Sequence, residues 1–240
     1  MDVESRSPKA VREVASIARS MQEWVTIERA TIRAHDFVLA RRGEEWVVRV
    51  DGRMLMSNRM HQSEVDLALR AIERAGTVRR MLIGGLGLGY TLRAALDHVS
   101  SSARVIVAEL VPELVDWNRR HLAHLHDRAL DDLRTEVITG DALDTIRAAR
   151  ADLDVIVLDV DNGPEPLSQA ENQRLYNDKG TRACFDALAP GGVLGVWSAG
   201  PNDAYAARLT KAGFTTEVLR VAARKGSGSR HVLFFGKKRA

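Results

Sequence analysis

The chain has 240 residues, a formal net charge of +3 and a hydrophobic fraction of 45%, enough apolar content for one α/β domain with a small appendage. The longest apolar runs, such as residues 155–158, are far too short to cross a bilayer, and residues 1–19 lack the apolar centre of a secretory signal. Basic residues are spread along the chain without interleaved aromatics, and Cys184 is the lone cysteine, so we expect a cytoplasmic protein without a nucleic-acid or membrane partner.

The N-terminal region predicts a helical arm followed by a small β-domain. Apolar residues at helical spacing between residues 9 and 24 predict an amphipathic arm that needs a partner surface. Turn signals at Arg42-Gly43 and Asp51-Gly52 punctuate the extended runs that follow. Those runs cover residues 24–29, 37–40 and 46–50. We therefore divide the chain into an arm (1–24), a small β-domain (25–62) and a larger domain (63–240).

The larger domain is predicted to begin with a helix over residues 63–75, with Ser63 as its N-cap, and then to alternate strands and helices. Predicted strands cover residues 81–83, 104–108, 136–138, 155–158, 193–197, 216–221 and 231–235, and helices are predicted to begin near Tyr90, Pro112, Ala142, Gln169 and Asp203. Continuous apolar strands of this kind predict a parallel sheet that is covered on both faces. The last two strands lie close together in the chain, which predicts an antiparallel addition at one end of the sheet.

A glycine-rich turn directly follows the first strand of this domain. It contains Gly84, Gly85, Gly87 and Gly89, and a helix begins at once after it. Glycines allow a backbone to approach a ligand closely, and a helix N-terminus offers free N–H groups. The spacing is G-x-G-x-G and differs from the dinucleotide G-x-G-x-x-G, which weakens the case for NAD. We interpret the turn as a binding site for an adenosine-containing cofactor.

Acidic residues follow the next two strands at the same predicted edge of the sheet. Glu109 ends the second strand, where a carboxylate can accept hydrogen bonds from both hydroxyls of a ribose. Asp141 and Ala142 follow the third strand, where the acid can receive an adenine amino group and a neighbouring N–H can serve a ring nitrogen. Asp141 can also cap the helix that follows. Together with the glycine turn, these acids favour an S-adenosylmethionine-type site.

The fourth strand ends in a second pair of acids, Asp159 and Asp161, which lie where a transferred group would sit. Either can orient the acceptor, take its proton or bind the amine of the donor, and the alternative is an ordinary Asp-Asn-Gly-Pro turn. His61, Glu64 and Tyr176 are weaker candidates for substrate binding, with surface or core positions as the alternatives. His121, His124 and His126 do not repeat on one helical face, so we expect no metal site.

At these residues the chain resembles the spermidine synthase family and its bacterial spermidine-synthase-like relatives. The anchors are the glycine turn and the strand ends at Glu109, Asp141 and Asp159. The resemblance implies a Rossmann-like, seven-stranded α/β core of the methyltransferase and spermidine synthase type behind a small N-terminal β-domain, commonly as a homodimer. It also implies that Glu109 holds the ribose, that Asp141 holds the adenine, and that Asp159 or Asp161 helps to deprotonate an acceptor amine.

Two positions and one loop depart from the family pattern. The loop after the fourth strand (residues 159–163) is shorter here than in the family. Gly87 stands where the family's loop has an aspartate that meets the donor's amine, and Met60 stands where the family has a tyrosine before the first helix. We therefore favour an S-adenosylmethionine-dependent transferase acting on a small-molecule acceptor, with methyl transfer first; Asp161 would then orient or deprotonate the acceptor, and Asp159 would support the donor or the loop. The alternatives are aminopropyl transfer from decarboxylated S-adenosylmethionine, as in a polyamine synthase, and a non-catalytic nucleotide-binding or assembly protein. An NAD-dependent oxidoreductase ranks last.

Overall fold

The computed structural model describes residues 22–160, 163–164, 173–223 and 230–240. The chain forms two compact units that divide between Arg59 and Met60, whereas the sequence placed the boundary at residue 62. Residues 1–21 of the predicted arm, and the candidate Asp161, lie outside the described residues. Within the described ranges, no helix is long and apolar enough to span a membrane.

The first unit is an antiparallel sheet of four strands in sequential order. The strands are β1 (Val25–Ile32), β2 (His35–Arg42), β3 (Glu45–Val50) and β4 (Arg53–Ser57). The predicted turns at Arg42-Gly43 and Asp51-Gly52 are confirmed, and both glycines have positive φ. A third turn, at Arg33-Ala34, and the strand β4 were not predicted. On one face of the sheet, Val38, Ala40 and Val47 form a small apolar cluster.

The second unit is a seven-stranded sheet in the order β10-β11-β9-β8-β5-β6-β7. Its strands are β5 (Arg80–Gly84), β6 (Arg104–Glu109), β7 (Thr135–Thr139), β8 (Leu153–Leu158), β9 (Leu188–Ser198), β10 (Thr215–Ala222) and β11 (Arg230–Lys237). Neighbours from β9 to β7 pair in parallel, and β11 pairs antiparallel with both β9 and β10. The seven predicted strands and the antiparallel addition are therefore confirmed.

Helices cover both faces of this sheet, as predicted. They are α1 (Gln62–Ala75), α2 (Tyr90–His98), α3 (Pro112–Arg120), α4 (Ala142–Ala148), α5 (Gln173–Tyr176), α6 (Asp178–Ala187) and α7 (Asp203–Lys211). Alternate residues of β5 serve the two faces: Met81 and Ile83 pack with α1 to α3, whereas Leu82 packs with α4, α6 and α7. Cys184 is fully buried in the second of these layers, and burial raises the pKa of its thiol to about 12, so it packs in the core as expected. The predicted start of a helix near Gln169 lies outside the described residues.

The predicted N-cap of α1 is wrong. The helix begins at Gln62 after His61, and no side chain caps it. Ser63 is instead buried, and its hydroxyl accepts a hydrogen bond from Nε1 of Trp197 (3.0 Å) and lies 2.8 Å from Nδ1 of His231. The hydroxyl that would have capped the helix therefore ties the first turn of α1 to β9 and β11.

Candidate active site

The glycine turn joins the end of β5 to the N-terminus of α2, at the carboxyl edge of the parallel strands. Gly85, Gly87 and Gly89 all have positive φ. A Cβ on Gly85 would lie 2.4 Å from the carbonyl oxygen of Asp159, so the close approach of the β8 backbone already requires glycine there. A Cβ on Gly84 would lie 3.1 Å from the Cβ of Ala142, which places this pair in the contact between β5 and α4. Gly84, Gly85 and the side chain of Ala142 thus shape the turn through packing.

Glu109 connects the end of β6 to the glycine turn. Its carboxylate accepts hydrogen bonds from the backbone N–H of Leu86 (2.7 Å) and from that of Val111 (2.9 Å), and the residue is only 6% exposed. A carboxylate has about four acceptor positions, so these bonds are compatible with further hydrogen bonds to ribose hydroxyls. Through the hydrogen bond with Leu86, Glu109 also stabilises the glycine turn, a structural role that was not predicted. Its contact with ribose stays a prediction.

Asp141 caps α4, as the alternative interpretation predicted. One carboxylate oxygen accepts from the N–H of Leu143 (2.8 Å), and the other lies 2.6 Å from Nη2 of Arg174 at the start of α5. The ion pair with Arg174 was not predicted. Beside the acid, a Cβ on Gly140 would meet no atom within 4 Å, so the space at the end of β7 is open. Binding of adenine by Asp141 and by the N–H of Ala142 stays a prediction.

Asp159 follows β8 directly and is fixed by two contacts. Its backbone N–H donates to the carbonyl of Gly84 (2.9 Å), and its Oδ2 accepts a hydrogen bond of 2.6 Å from the hydroxyl of Thr91 in α2. Burial raises the pKa of Asp159 to about 6, and the hydrogen bond from Thr91 opposes part of that rise because it favours the ionised form. Asp159 is therefore a carboxyl group that titrates close to neutral pH.

Residues of α1 complete a cluster around Asp159. The ring of His61 stacks on Tyr90 with 4.0 Å between centroids and 14° between planes, which brings the start of α1 against the start of α2. Burial, followed by the negative charge of Asp159, raises the pKa of Glu64 well above its usual value. Burial, followed by the charge of Glu64, raises the pKa of Tyr90 to about 12. The five residues His61, Glu64, Tyr90, Thr91 and Asp159, here called the acid cluster, thus gather beside the glycine turn.

The predicted site residues divide into two groups. His61, Glu64 and Asp159 come together with the glycine turn, although His61 and Glu64 lie at the start of α1 and Asp159 follows β8. Tyr176 does not line this site, because its ring is 2% exposed in the core and its hydroxyl donates to the carbonyl of Val160 (3.2 Å). It therefore supports the loop after β8 from within the core. Among the described residues, no group of three His, Cys, Asp or Glu side chains could hold a metal ion.

Three polar residues of the site were not predicted. Tyr90 and Thr91 directly follow Gly89, so their place in the first turn after a ligand-binding loop was the available signal. Asn118 is fully buried in α3, and its amide donates to the carbonyl of Gly87 at 2.9 Å. In the sequence, the one signal for this contact is that Asn118, a polar residue, lies on the apolar face of a predicted helix. That signal does not indicate which backbone carbonyl the amide contacts.

The comparisons with known proteins agree with this architecture. The family model for the spermine/spermidine synthase domain matches residues 64–202, more than half of the chain. The polyamine aminopropyltransferase of Aeropyrum pernix is 33% identical over 187 residues, which cover 72% of this chain and 58% of that protein. Polyamine aminopropyltransferase 2 of Pseudomonas aeruginosa is 36% identical over 122 residues, or 49% of this chain and 33% of that protein. The chain thus spans between a third and three fifths of the length of these two relatives.

Solved structures show the same fold. The spermidine synthase of Thermotoga maritima has a TM-score of 0.73 at 21% identity, and the match covers 89% of this chain and 72% of that one. A spermidine synthase in complex with the transition state analogue AdoDATO also has a TM-score of 0.73, at 20% identity and with the same coverage. The small N-terminal sheet and the Rossmann-like core are both confirmed, and so is the resemblance from which they were expected. The chain belongs to the spermine/spermidine synthase family.

Proposed function

We propose that this chain is an aminopropyltransferase that uses decarboxylated S-adenosylmethionine as donor and a small amine as acceptor. The observation that carries the proposal is the acid cluster, in which Glu64 and Asp159 lie beside the glycine turn with raised pKa values. The relatives support it, since the two reported above are named aminopropyltransferases. A homodimer and a cytoplasmic location stay predictions.

Two neighbouring buried carboxyl groups favour a cationic ligand. Burial raises the pKa of both Glu64 and Asp159, and the negative charge of Asp159 raises the pKa of Glu64 further, so it is costly for the two acids to be ionised together. An ammonium group offsets this repulsion, so its binding should draw both acids toward the ionised form and release protons. A neutral acceptor carries no positive charge and so does not offset the repulsion between the two carboxylates. The cluster therefore fits an amine better than an alcohol, a thiol or a carbon nucleophile.

The residues present also fit an adenosyl group. Glu109 offers a carboxylate at the end of β6, the space beside Gly140 at the end of the neighbouring β7 is open, and the glycine turn presents backbone at the end of β5 on the other side of β6. When bound, decarboxylated S-adenosylmethionine supplies a propyl carbon that is activated by its bond to a sulfonium. Glu64 takes the role of meeting the donor's amine in this proposal, because Gly87 has no side chain to do so.

Asp159 is the proposed base. An acceptor amine must be neutral at nitrogen to attack carbon, and in solution it is protonated at neutral pH. The raised pKa of Asp159 narrows the gap between the carboxylate and the ammonium that must lose its proton, which makes the transfer to Asp159 less unfavourable. The hydrogen bond from Thr91 holds the carboxylate in one orientation. The chain then contributes alignment of amine and donor carbon, which supplies much of the rate in such transfers.

Methyl transfer, the function favoured from the sequence, becomes the second candidate. The observation in its favour is Gly87, which leaves the loop without the acid that the family places there. The comparisons support aminopropyl transfer better, and the acid cluster supplies carboxyl groups from other elements.

The discriminating experiment follows the fate of the donor. The purified full chain is incubated with decarboxylated S-adenosylmethionine or with S-adenosylmethionine, each with a set of diamines and polyamines, and the products are identified by mass spectrometry. We expect 5′-methylthioadenosine and an aminopropylated amine from the decarboxylated donor only. Formation of S-adenosylhomocysteine and a methylated product would support methyl transfer, and no turnover with either donor would support a non-catalytic protein.

Matched variants test whether the acid cluster carries the reaction. Asp159→Asn and Glu64→Gln remove one carboxylate each without a change of volume. For Asp159→Asn we expect a loss of at least about 100-fold in kcat/KM, in the range typical of a general base, and for Glu64→Gln a loss of about 10-fold or more through the lost charged contact with the donor's amine. Asp186→Asn is the control, because Asp186 forms an exposed ion pair with Arg182 on α6. Full activity of Asp159→Asn would exclude Asp159 as the base.

A further inference from the structure

The glycine turn rests on two buried polar residues that belong to no predicted site. Asn118 of α3 is fully buried, and its Nδ2 lies 2.9 Å from the carbonyl oxygen of Gly87 and 2.8 Å from that of Leu114. Both partners are acceptors, so the amide nitrogen must face them and both of its hydrogens are used. Asn118 therefore joins a carbonyl of the turn to a carbonyl of its own helix.

His126 supports the turn at its second end. It is 1% exposed, and a Cβ on Gly89 would lie 2.5 Å from its Cδ2 and 2.7 Å from its Cγ. Only glycine, at a φ of +83°, can seat the turn this closely on the ring. Nδ1 of His126 accepts a hydrogen bond from the N–H of Ala129 (3.0 Å), and burial lowers the pKa of the imidazole. Because Nδ1 is the acceptor in this hydrogen bond, the ring hydrogen lies on Nε2.

These contacts set the direction of the peptide groups in the turn. In a trans peptide the carbonyl and the following N–H point to opposite sides of the chain. Because Asn118 holds the carbonyl of Gly87 toward α3, the N–H of Leu88 is directed away from α3. A free turn with glycines at 85, 87 and 89 would sample many orientations of these groups, since glycine loses more conformational freedom on ordering than other residues.

We propose that Asn118 and His126 are positioning residues, which hold the glycine turn in the conformation that receives the adenosyl part of the donor. This inference rests on the proposed function, and it adds that the affinity for the donor is set in part from behind the turn. Neither residue touches the reacting atoms, so the loss of either should weaken donor binding and leave the chemical step largely intact.

The test uses Asn118→Asp, which replaces the donating NH2 by an acceptor of the same size. Asn118→Leu removes the same hydrogen bonds without adding a charge, and it serves if Asn118→Asp does not fold. His126→Ala removes the ring under Gly89. The control is Asn202→Ala, which deletes the N-cap hydrogen bond of α7 to the N–H of Tyr205 (2.9 Å) and so destabilises the fold away from the turn.

The first measurement is hydrogen exchange of the ligand-free protein over residues 84–92. We expect exchange about tenfold faster or more in the Asn118 and His126 variants, as for loss of a buried hydrogen bond, and no change in this segment for Asn202→Ala. Unchanged exchange in the turn, or an increase spread evenly over the sheet, would overturn the proposal. This measurement needs no ligand, so it tests whether Asn118 and His126 stabilise the turn even if the proposed function is wrong.

The second measurement separates binding from chemistry. We expect the Kd for 5′-methylthioadenosine and the KM for decarboxylated S-adenosylmethionine to rise about tenfold, while kcat at saturating donor stays within about twofold of the wild type. A fall in kcat with unchanged Kd and KM would overturn the positioning role. If the wild-type chain binds no adenosyl compound at all, the proposed function is wrong. In that case hydrogen exchange alone tests whether Asn118 and His126 stabilise the glycine turn.

Discussion

The hydrogen bond from Thr91 to Asp159 should set the pH at which the proposed aminopropyl transfer slows on acidification. Thr91 is 1% exposed, and its hydroxyl donates to Oδ2 of Asp159 at 2.6 Å, a short bond to the group that the proposed mechanism requires in its ionised form. Burial raises the pKa of Asp159 to about 6, and this bond is the interaction that opposes the rise. Thr91→Val keeps the shape of the side chain and removes the donor, so the opposing effect is lost.

The expected size follows from the strength of such bonds. A hydrogen bond to a charged group contributes about 1.5–3 kcal/mol, and one pKa unit corresponds to about 1.4 kcal/mol, so the pKa of Asp159 should rise by about 1–2 units. If Asp159 is the base, kcat/KM falls as pH drops below its pKa in the free enzyme. The acid limb, near pH 6 in the wild type, should therefore move to about pH 7–8 in Thr91→Val.

The assay is kcat/KM for aminopropyl transfer measured from pH 5 to pH 9, with the same amine for every variant so that its own titration cancels. Thr91→Ser is the matched control, because it keeps the hydroxyl, and its acid limb should stay with that of the wild type. An acid limb that does not move in Thr91→Val, or moves to lower pH, would refute the assignment of Asp159 as the base. A limb that moves equally in Thr91→Ser would show that packing, and not the hydrogen bond, controls the titration.

Three further predictions concern stability. Asp159→Asn should raise the free energy of unfolding at pH 7 by up to about 3 kcal/mol. The reason is that burial raises the pKa of Asp159 to about 6 in the folded state. The protonated carboxyl therefore contributes its full stability below about pH 4, and this stability is lost as the pH rises through about 6. The gain, followed by urea denaturation, should vanish at pH 4, and no gain at pH 7 would mean that the carboxylate is not desolvated. Gly85→Ala should destabilise the protein by about 2–5 kcal/mol in the same assay, because its Cβ would lie 2.4 Å from the carbonyl oxygen of Asp159 at a φ of +90°. Asp141→Ala should cost about 1 kcal/mol through loss of the cap on α4, whereas Asp141→Asn should cost less because it retains a capping oxygen.

The core of the fold was predictable because its signal is repeated along the chain. Each strand of the parallel sheet is an apolar run that both faces bury, as in β8, where all six residues are buried. The first unit was less predictable. The turn at Arg33-Ala34 has positive φ at two residues that are not glycine (50° and 70°), so no residue type marks it. The strand β4 has Met54 52% exposed at its start, which hides the alternation of a half-buried strand.

The site was predictable where the topology alone decides position. Acids that follow parallel strands must meet at one sheet edge, and this places Glu109, Asp141 and Asp159 near the glycine turn. What each acid contacts depends on neighbours that are distant in the chain: Arg174 pairs with Asp141, and Thr91 donates to Asp159. Ser63 failed as an N-cap for the same reason, since its hydroxyl is engaged by side chains of β9 and β11.

The position of α1 changes what Gly87 implies about the reaction. From the sequence, a glycine at this position of the turn leaves one acid too few for an amine-bearing donor, which favoured methyl transfer. In the structure, Ser63 fixes the first turn of α1 to the sheet, and Glu64, one residue later, couples electrostatically to Asp159. A helix-borne carboxyl thus joins Asp159 beside the turn. Since an ammonium responds to charge and distance and not to the element that carries the charge, the presence of two acids beside the turn argues for the amine-transferring reaction.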